Sequence, residues 1–261
     1  MRLFALLLLL PLAACTEAPS VPLSPEDAAE RDSVLALLRA ADTAALAAAF
    51  DRLDAFRYRV ETRTEQLGTD GRTEATRTVA AEVTPNGGVP LADVVQADST
   101  GAFDYGGFAL FASEPDIDPL PAENPATLVV PEDPAYLDPR GIEAYQFRFA
   151  SDTRLGDRRV RVLSIDARPG EGDDKTLRHA QLYLDPATGD LVGIRLQQRM
   201  TSLLFSERSD ATILLQPGPA GGWLPQSTRF ETTLDALFTA KRHFRLSRRY
   251  SEFAPAAAAA R

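Results

Sequence analysis

Cysteine is nearly missing from this chain: Cys15 is the single one in 261 residues. No disulfide framework within the chain can therefore hold the fold together. Lysine is almost absent too, with Lys175 and Lys241 against a background of arginine. Arginine and alanine codons are GC-rich, so that bias reads as genome composition before it reads as function. The two histidines, His179 and His243, fall inside expected strands. They could meet in space, yet no third ligand stands at metal spacing, and each reads as a structural histidine. A Gly-x-Ser-x-Gly elbow, a His-Glu-x-x-His helix, a phosphate loop and a dinucleotide fingerprint are all lacking. Nothing points to a protease-type triad among the scattered serines and acids. The expected reading is no catalytic residue, no metal, no cofactor and no enzyme. Positive charge is in deficit as well, the net charge being −9 at pH 7. That balance excludes a general attraction to nucleic acid or to an anionic lipid surface.

What is present begins with MRLFALLLLLPLAAC. One charge, Arg2, precedes an apolar run from Leu3 to Ala14. The run is short of the roughly 20 residues that a membrane-spanning helix needs, and it fits an export signal. Ala13-Ala14 would also serve ordinary cleavage, but the order Leu-Ala-Ala-Cys resembles the bacterial lipobox. In that motif the Cys thiol takes a diacylglyceryl group and becomes the new N-terminus. One acyl chain anchors marginally and two or more anchor firmly. Thr16 stands where an Asp would retain many such lipoproteins in the inner membrane. The outer membrane, on its periplasmic face, is therefore the expected address, with the inner membrane and the cell surface as alternatives. The next eight residues, TEAPSVPL, form a tether that reaches at most roughly 30 Å.

Hydrophobic residues make up 44% and charged residues 25%, which suits a globular body on this anchor. Ser24-Pro25-Glu26-Asp27 reads as a helix start, with a capping serine, a proline in the first turn and acids at the positive end of the dipole. Val34, Leu35, Leu37 and Leu38 supply an apolar stripe. Asp42 is placed to cap a second segment carrying Leu46, Phe50 and Leu53.

The period then shortens. Phe56, Tyr58 and Val60 alternate with Arg57, Arg59 and Glu61, as in a half-buried strand. A turn at Thr69-Asp70-Gly71 leads into a strand over Arg72–Val83. Pro85-Asn86-Gly87-Gly88 is a further break. Strands are expected at Ala144–Ser151, Arg159–Ala167, Leu177–Leu184, Asp190–Met200, Ser202–Ser206, Ala211–Gln216, Ser227–Leu234 and Arg242–Phe253. Frequent turn signals without helical patterns between them argue for an antiparallel meander. The segment Glu114–Pro139 is too rich in proline for a central strand and reads as an inert crossover or a binding segment. The tail PAAAAAR is low-complexity.

Helices followed by about ten antiparallel strands on an exported chain resemble the periplasmic lipoprotein carrier LolA and its outer-membrane receptor LolB. The likeness is strongest in DRLDAFRYRVETRT, in RHAQLYLDPATGDLVGIRLQQR with its Asp-Pro-x-Thr-Gly turn, and in GGWLPQSTRFETT. The resemblance implies an α+β fold in which a curved antiparallel half-barrel packs on N-terminal helices and encloses an apolar cavity for acyl chains. Residues 1–14 are then the signal, 15–23 the lipidated Cys15 and tether, 24–253 one half-barrel domain and 254–261 a disordered tail.

Phe56, Tyr58, Val60, Phe147, Ile194 and Phe230 are the apolar candidates for facing a ligand. The implied partners are the membrane, through the anchor, and acyl chains or lipidated clients. The competing reading is a structural or interaction lipoprotein with a filled cavity; an envelope hydrolase is third. A tethered chain cannot shuttle across the periplasm, which leaves a receptor or another fixed role. The acidic run Glu171-Gly172-Asp173-Asp174 reads as a solvated hairpin tip, lacking the ligand spacing of a calcium loop. In KRHFRLSRRY the arginines are expected to pair with acids of the preceding strand, Glu231 and Asp235, in preference to forming a free cationic stripe.

Metabolic labelling with a clickable palmitate analogue should mark this chain and miss the Cys15→Ser variant. Equal labelling of both would contradict the lipid assignment.

Overall fold

The computed structural model describes residues 24–86, 89–104, 120–121, 124–130, 135–139, 141–168, 176–202, 205–236 and 241–256. The signal, Cys15, its tether, the acidic run at 171–174 and residues 257–261 lie outside the described residues.

Helix α1 (Pro25–Ala40) starts where its capping signal stands: the Ser24 hydroxyl accepts from the Asp27 N–H at 3.1 Å, and Pro25 occupies the first turn. Helix α2 (Ala44–Asp51) follows, its first N–H donating to the Asp42 carboxylate at 2.9 Å. A 3-10 turn, Arg52–Ala55, closes the helical region. The two helices bury Val34, Leu35, Leu38, Leu46, Ala49 and Phe50.

The strands are β1 (Phe56–Leu67), β2 (Thr73–Thr84), β3 (Leu91–Thr100), β4 (Tyr145–Phe149), β5 (Thr153–Leu155) and β6 (Arg158–Ala167). They continue as β7 (Leu177–Leu184), β8 (Leu191–Thr201), β9 (Phe205–Pro217), β10 (Trp223–Ala236) and β11 (Arg242–Pro255). All pair antiparallel in the order β3-β2-β1-β11-β10-β9-β8-β7-β6-β4, with β5 alongside β6. The sheet stays open, with β3 and β4 as its edges, and register shifts in several pairs curve it. This is the α+β half-barrel that the sequence implies.

Two details differ from the sequence expectation. Strands β3 and β5 were not foreseen, and the expected break between Ser206 and Ala211 is spanned by one strand, β9, which starts at Phe205 and not at Ser202.

The helices lie on one face of the sheet, here called inner. Between them, Asp42 clasps the β7–β8 turn: its N–H donates to the Gly189 carbonyl at 3.3 Å, and its carbonyl accepts from Leu191 at 3.0 Å. That turn needs Gly189, whose φ of 80° is reached at little cost only without a side chain. At the β4 edge, Glu30 accepts from the Phe149 N–H at 2.8 Å and Arg31 pairs with Glu143 at 3.0 Å, so α1 also shields a free strand edge.

β3 and β4 are opposite edges of the sheet, and residues 101–144 are the chain between them. The described flanks of this connection are tied down. Asp104 donates its N–H to Gln66 at 2.7 Å and accepts from Arg242 at 2.6 Å. Asn124 caps the short helix α3 (Pro125–Val129) and donates to the Ala47 carbonyl at 3.0 Å.

Candidate functional site: the inner face and its charged reverse

Residues directly opposite one another in a sheet share a face, so the strand registers read out the inner face row by row. One row runs Phe147, Ile165, Ala180, Leu196, Ala211, Phe230, Leu246 and Thr64 across the sheet from β4 to β1. The neighbouring row, nearer the helices, runs Phe149, Leu163, Leu182, Ile194, Ile213, Thr228, Arg248 and Thr62. On the side away from the helices a third row turns polar, through Gln198, Ser209 and Thr232 to Phe244 and Gln66.

All six candidate residues fall on this inner face. Phe56, Tyr58 and Val60 join Phe50, Tyr250 and Phe253 in an aromatic group beneath α2. Its centroid distances are 6.0 Å for Phe50–Tyr250, 6.1 Å for Tyr58–Tyr250, 5.9 Å for Tyr58–Phe253 and 6.2 Å for Phe56–Phe253. Tyr250 and Phe253 are three residues apart, which simple alternation would send to opposite faces. A register shift at this point, with Glu252 at a φ of 56°, brings both rings against Tyr58. Burial pushes the Tyr250 hydroxyl up to about 12, an effect that the charge of Arg248 partly opposes. Phe147 and Phe230 share one row and Ile194 lies in the next. Five of the six are buried, Val60 completely at 0% exposure, and Phe230 is half-buried.

Arg248 is the residue whose burial sequence reasoning did not foresee: it lies buried on the inner face between Thr62 and Thr228. The signal was available in the alternation Phe244, Leu246, Arg248, Tyr250, which puts it on the apolar side of its strand.

The outer face is charged. Arg245 lies between Glu231 at 2.9 Å and Glu65 at 3.2 Å, His243 meets Glu231 at 2.7 Å, and Arg229 meets it at 2.6 Å. Arginine-to-acid pairing is thus the rule here, as expected for Glu231, while Arg242 takes Asp104 and not Asp235. His179 bonds Asp166 at 2.6 Å. Three strands separate the two histidines, so they do not meet. Burial alone would raise the Glu231 carboxyl; hydrogen bonds from Arg245, Arg229 and His243 outweigh it and hold the group down at about 2. The same contest lowers Glu65 and Asp166.

No family model and no curated protein matches this chain. Among the solved structures to which it is similar is a domain from Vibrio parahaemolyticus described as an outer-membrane lipoprotein-sorting protein. That match has 13% identity, covers 86% of this chain and 93% of the other, and has a TM-score of 0.31. A LolA superfamily protein from Nitrosomonas europaea matches at 9% identity, over 83% and 94% of the two chains, with a TM-score of 0.26. A DUF1329 family protein from Desulfovibrio piger matches at 10% identity, over 82% and 91%, with a TM-score of 0.24.

The lowered Glu231 carboxyl fixes a sign. Its folded value lies below the unfolded one of about 4.5, so its stabilisation is complete above that pH and is lost as pH falls toward 2. Denaturation midpoints measured between about pH 5 and pH 2.5 should fall more steeply for the wild type than for Glu231→Gln. Parallel slopes would contradict the network's role.

Proposed function

We propose that this chain is a lipid-anchored protein of the outer membrane's periplasmic face that binds acyl chains, free or on a lipidated client, without catalysing a reaction. The observation that carries the reading is the inner face itself. It is a continuous apolar surface from β4 to β9, interrupted toward β1 by Thr228, Arg248, Thr62 and Thr64, and two helices cover it in place of a second sheet. Beyond the helices, Phe230, Leu246 and Ala211 remain half-buried.

Magnitudes support an exchange between cover and ligand. The helices bury five large apolar side chains on this face, worth about 2 kcal/mol each, or roughly 10 kcal/mol together as an upper estimate. A palmitoyl chain with about 14 methylenes gains roughly 11 kcal/mol on burial. An acyl chain can therefore take the place of the helices at little net cost. The clasps that hold the helices, at Asp42, Glu30 and Asn124, are hydrogen bonds near the surface, each worth about 1 kcal/mol.

The burial of Val60 and Ile194 favours a second reading, in which the face is permanently filled and the chain acts as an envelope interaction protein. Photo-crosslinking of the full-length chain in nonionic detergent with a diazirine palmitate separates the two. Acyl binding predicts saturable labelling of peptides from β8 to β11 that falls at least several-fold in Phe230→Asp, with the melting temperature within a few degrees of wild type. Labelling that does not saturate, or that Phe230→Asp leaves unchanged, would sink the acyl reading and leave the filled one.

A further inference from the structure

On the outer face, toward the ends of β8, β9 and β10 remote from the helices, lies a cavity of about 500 Å³. Its charged lining is Arg178, Arg199, Arg208 and Lys241 against Glu207 and Asp235. Among the described residues the lining holds more cations than carboxylates, although Arg178 has a partner of its own, within a protein whose net charge is −9. Arg199 and Arg208 are direct cross-strand partners. Like charges in that position repel, whereas Arg245 of the same face stands between Glu231 and Glu65. Among the described residues, Asp210 is the acid within ion-pair distance of Arg208, at 3.7 Å, and the side chains of Arg199 and Lys241 make no ion pair or hydrogen bond. The chain thus holds an opposed arginine pair and a lysine around a cavity where neutralising acids would have been more stable.

We propose that this cavity binds a phosphate monoester or phosphate dianion. Two neighbouring guanidinium groups present paired N–H forks that match phosphate oxygens bidentately, and the lysine adds a point charge. The hydroxyls of Ser206 and Thr233 and the amide of Gln197 complete a polar lining. The cations Arg199, Arg208 and Lys241 among the described lining complement the phosphate's negative charge. The volume exceeds that of a bare phosphate and admits an ester substituent, within the usual range of small-molecule sites. A lipid headgroup and a soluble phosphate share this chemistry. The site lies on the opposite face from the acyl-binding surface, so it stands or falls independently of that reading.

The test is calorimetric titration of the full-length chain in nonionic detergent with inorganic phosphate and, separately, with dihexanoyl phosphatidic acid. At least one should bind saturably at one site per chain. Arg199→Gln and Lys241→Gln should each weaken it about tenfold or more, while Arg57→Gln, an exposed arginine on β1, should leave it unchanged. Without ligand, Arg199→Gln should melt no lower than wild type, because it relieves a like-charge pair. Binding of both ligands assigns the site to phosphate in general; binding of phosphatidic acid alone assigns it to the lipid headgroup. Absence of saturable binding of either ligand, or unchanged affinity in Arg199→Gln, overturns the proposal.

Discussion

The pairing of β1 with β11 is the constraint on which the rest of the structure depends. It places the first strand of the sheet beside the last, in a register that runs from Phe56–Pro255 to Leu67–His243. Every other strand then has its place: β2 and β3 extend one way, and the meander from β4 to β10 extends the other. The same pairing leaves β3 and β4 as opposite edges, joined in sequence by residues 101–144, a connection far longer than a hairpin requires. It also delivers the helices, which immediately precede β1, onto the inner face. The strongest cross-strand ion network sits at this seam, with Arg245 of β11 reaching Glu65 on one side and Glu231 on the other. Such a contact between distant parts of the chain carries a loop-closure cost, which a set of partly buried, charge-assisted bonds helps to offset.

Once the seam is set, the two faces diverge. The inner face is apolar in its middle rows and would expose a large patch if left bare, which soluble surfaces avoid. Two helices cover part of it, held at their ends by the Asp42 clasp and by Glu30 on the β4 edge. The outer face needs no cover because it carries charged and polar side chains, with ion pairs such as Arg245 with Glu65 and Glu231. On this face Arg199 stands directly opposite Arg208. An acidic protein can therefore carry a local cationic site without any general attraction to anions. Net charge describes long-range behaviour, and register decides what happens within a few ångströms.

Much of this architecture was legible in the sequence where local rules suffice. The Ser24 cap, the Asp42 helix entry, the alternation of Phe56, Tyr58 and Val60, and the Asp-Pro-x-Thr-Gly turn each act within a few residues. Strand β3 escaped because LADVVQADST is exposed on both faces along its length, so no burial period marks it. Strand β9 was split in two because the polar run at 207–210 interrupts its apolar residues, although pairing on both sides carries the strand through. The burial of Arg248 escaped for a similar reason, since a charge in a buried row contradicts composition even where periodicity is explicit. The cavity on the outer face had no sequence signal, because Arg199 and Arg208 become neighbours only through the β8–β9 register.

The central claim is that the helices are a removable cover over an apolar face that the sheet holds rigid. Hydrogen exchange followed by mass spectrometry on the full-length chain measures this directly. The account predicts that amides of α1 and α2 exchange through local opening, well before those of β7, β8 and β9, and that added palmitate changes exchange in the helices while leaving those strands unaltered. Helices and strands exchanging together, with no response to palmitate, would contradict it.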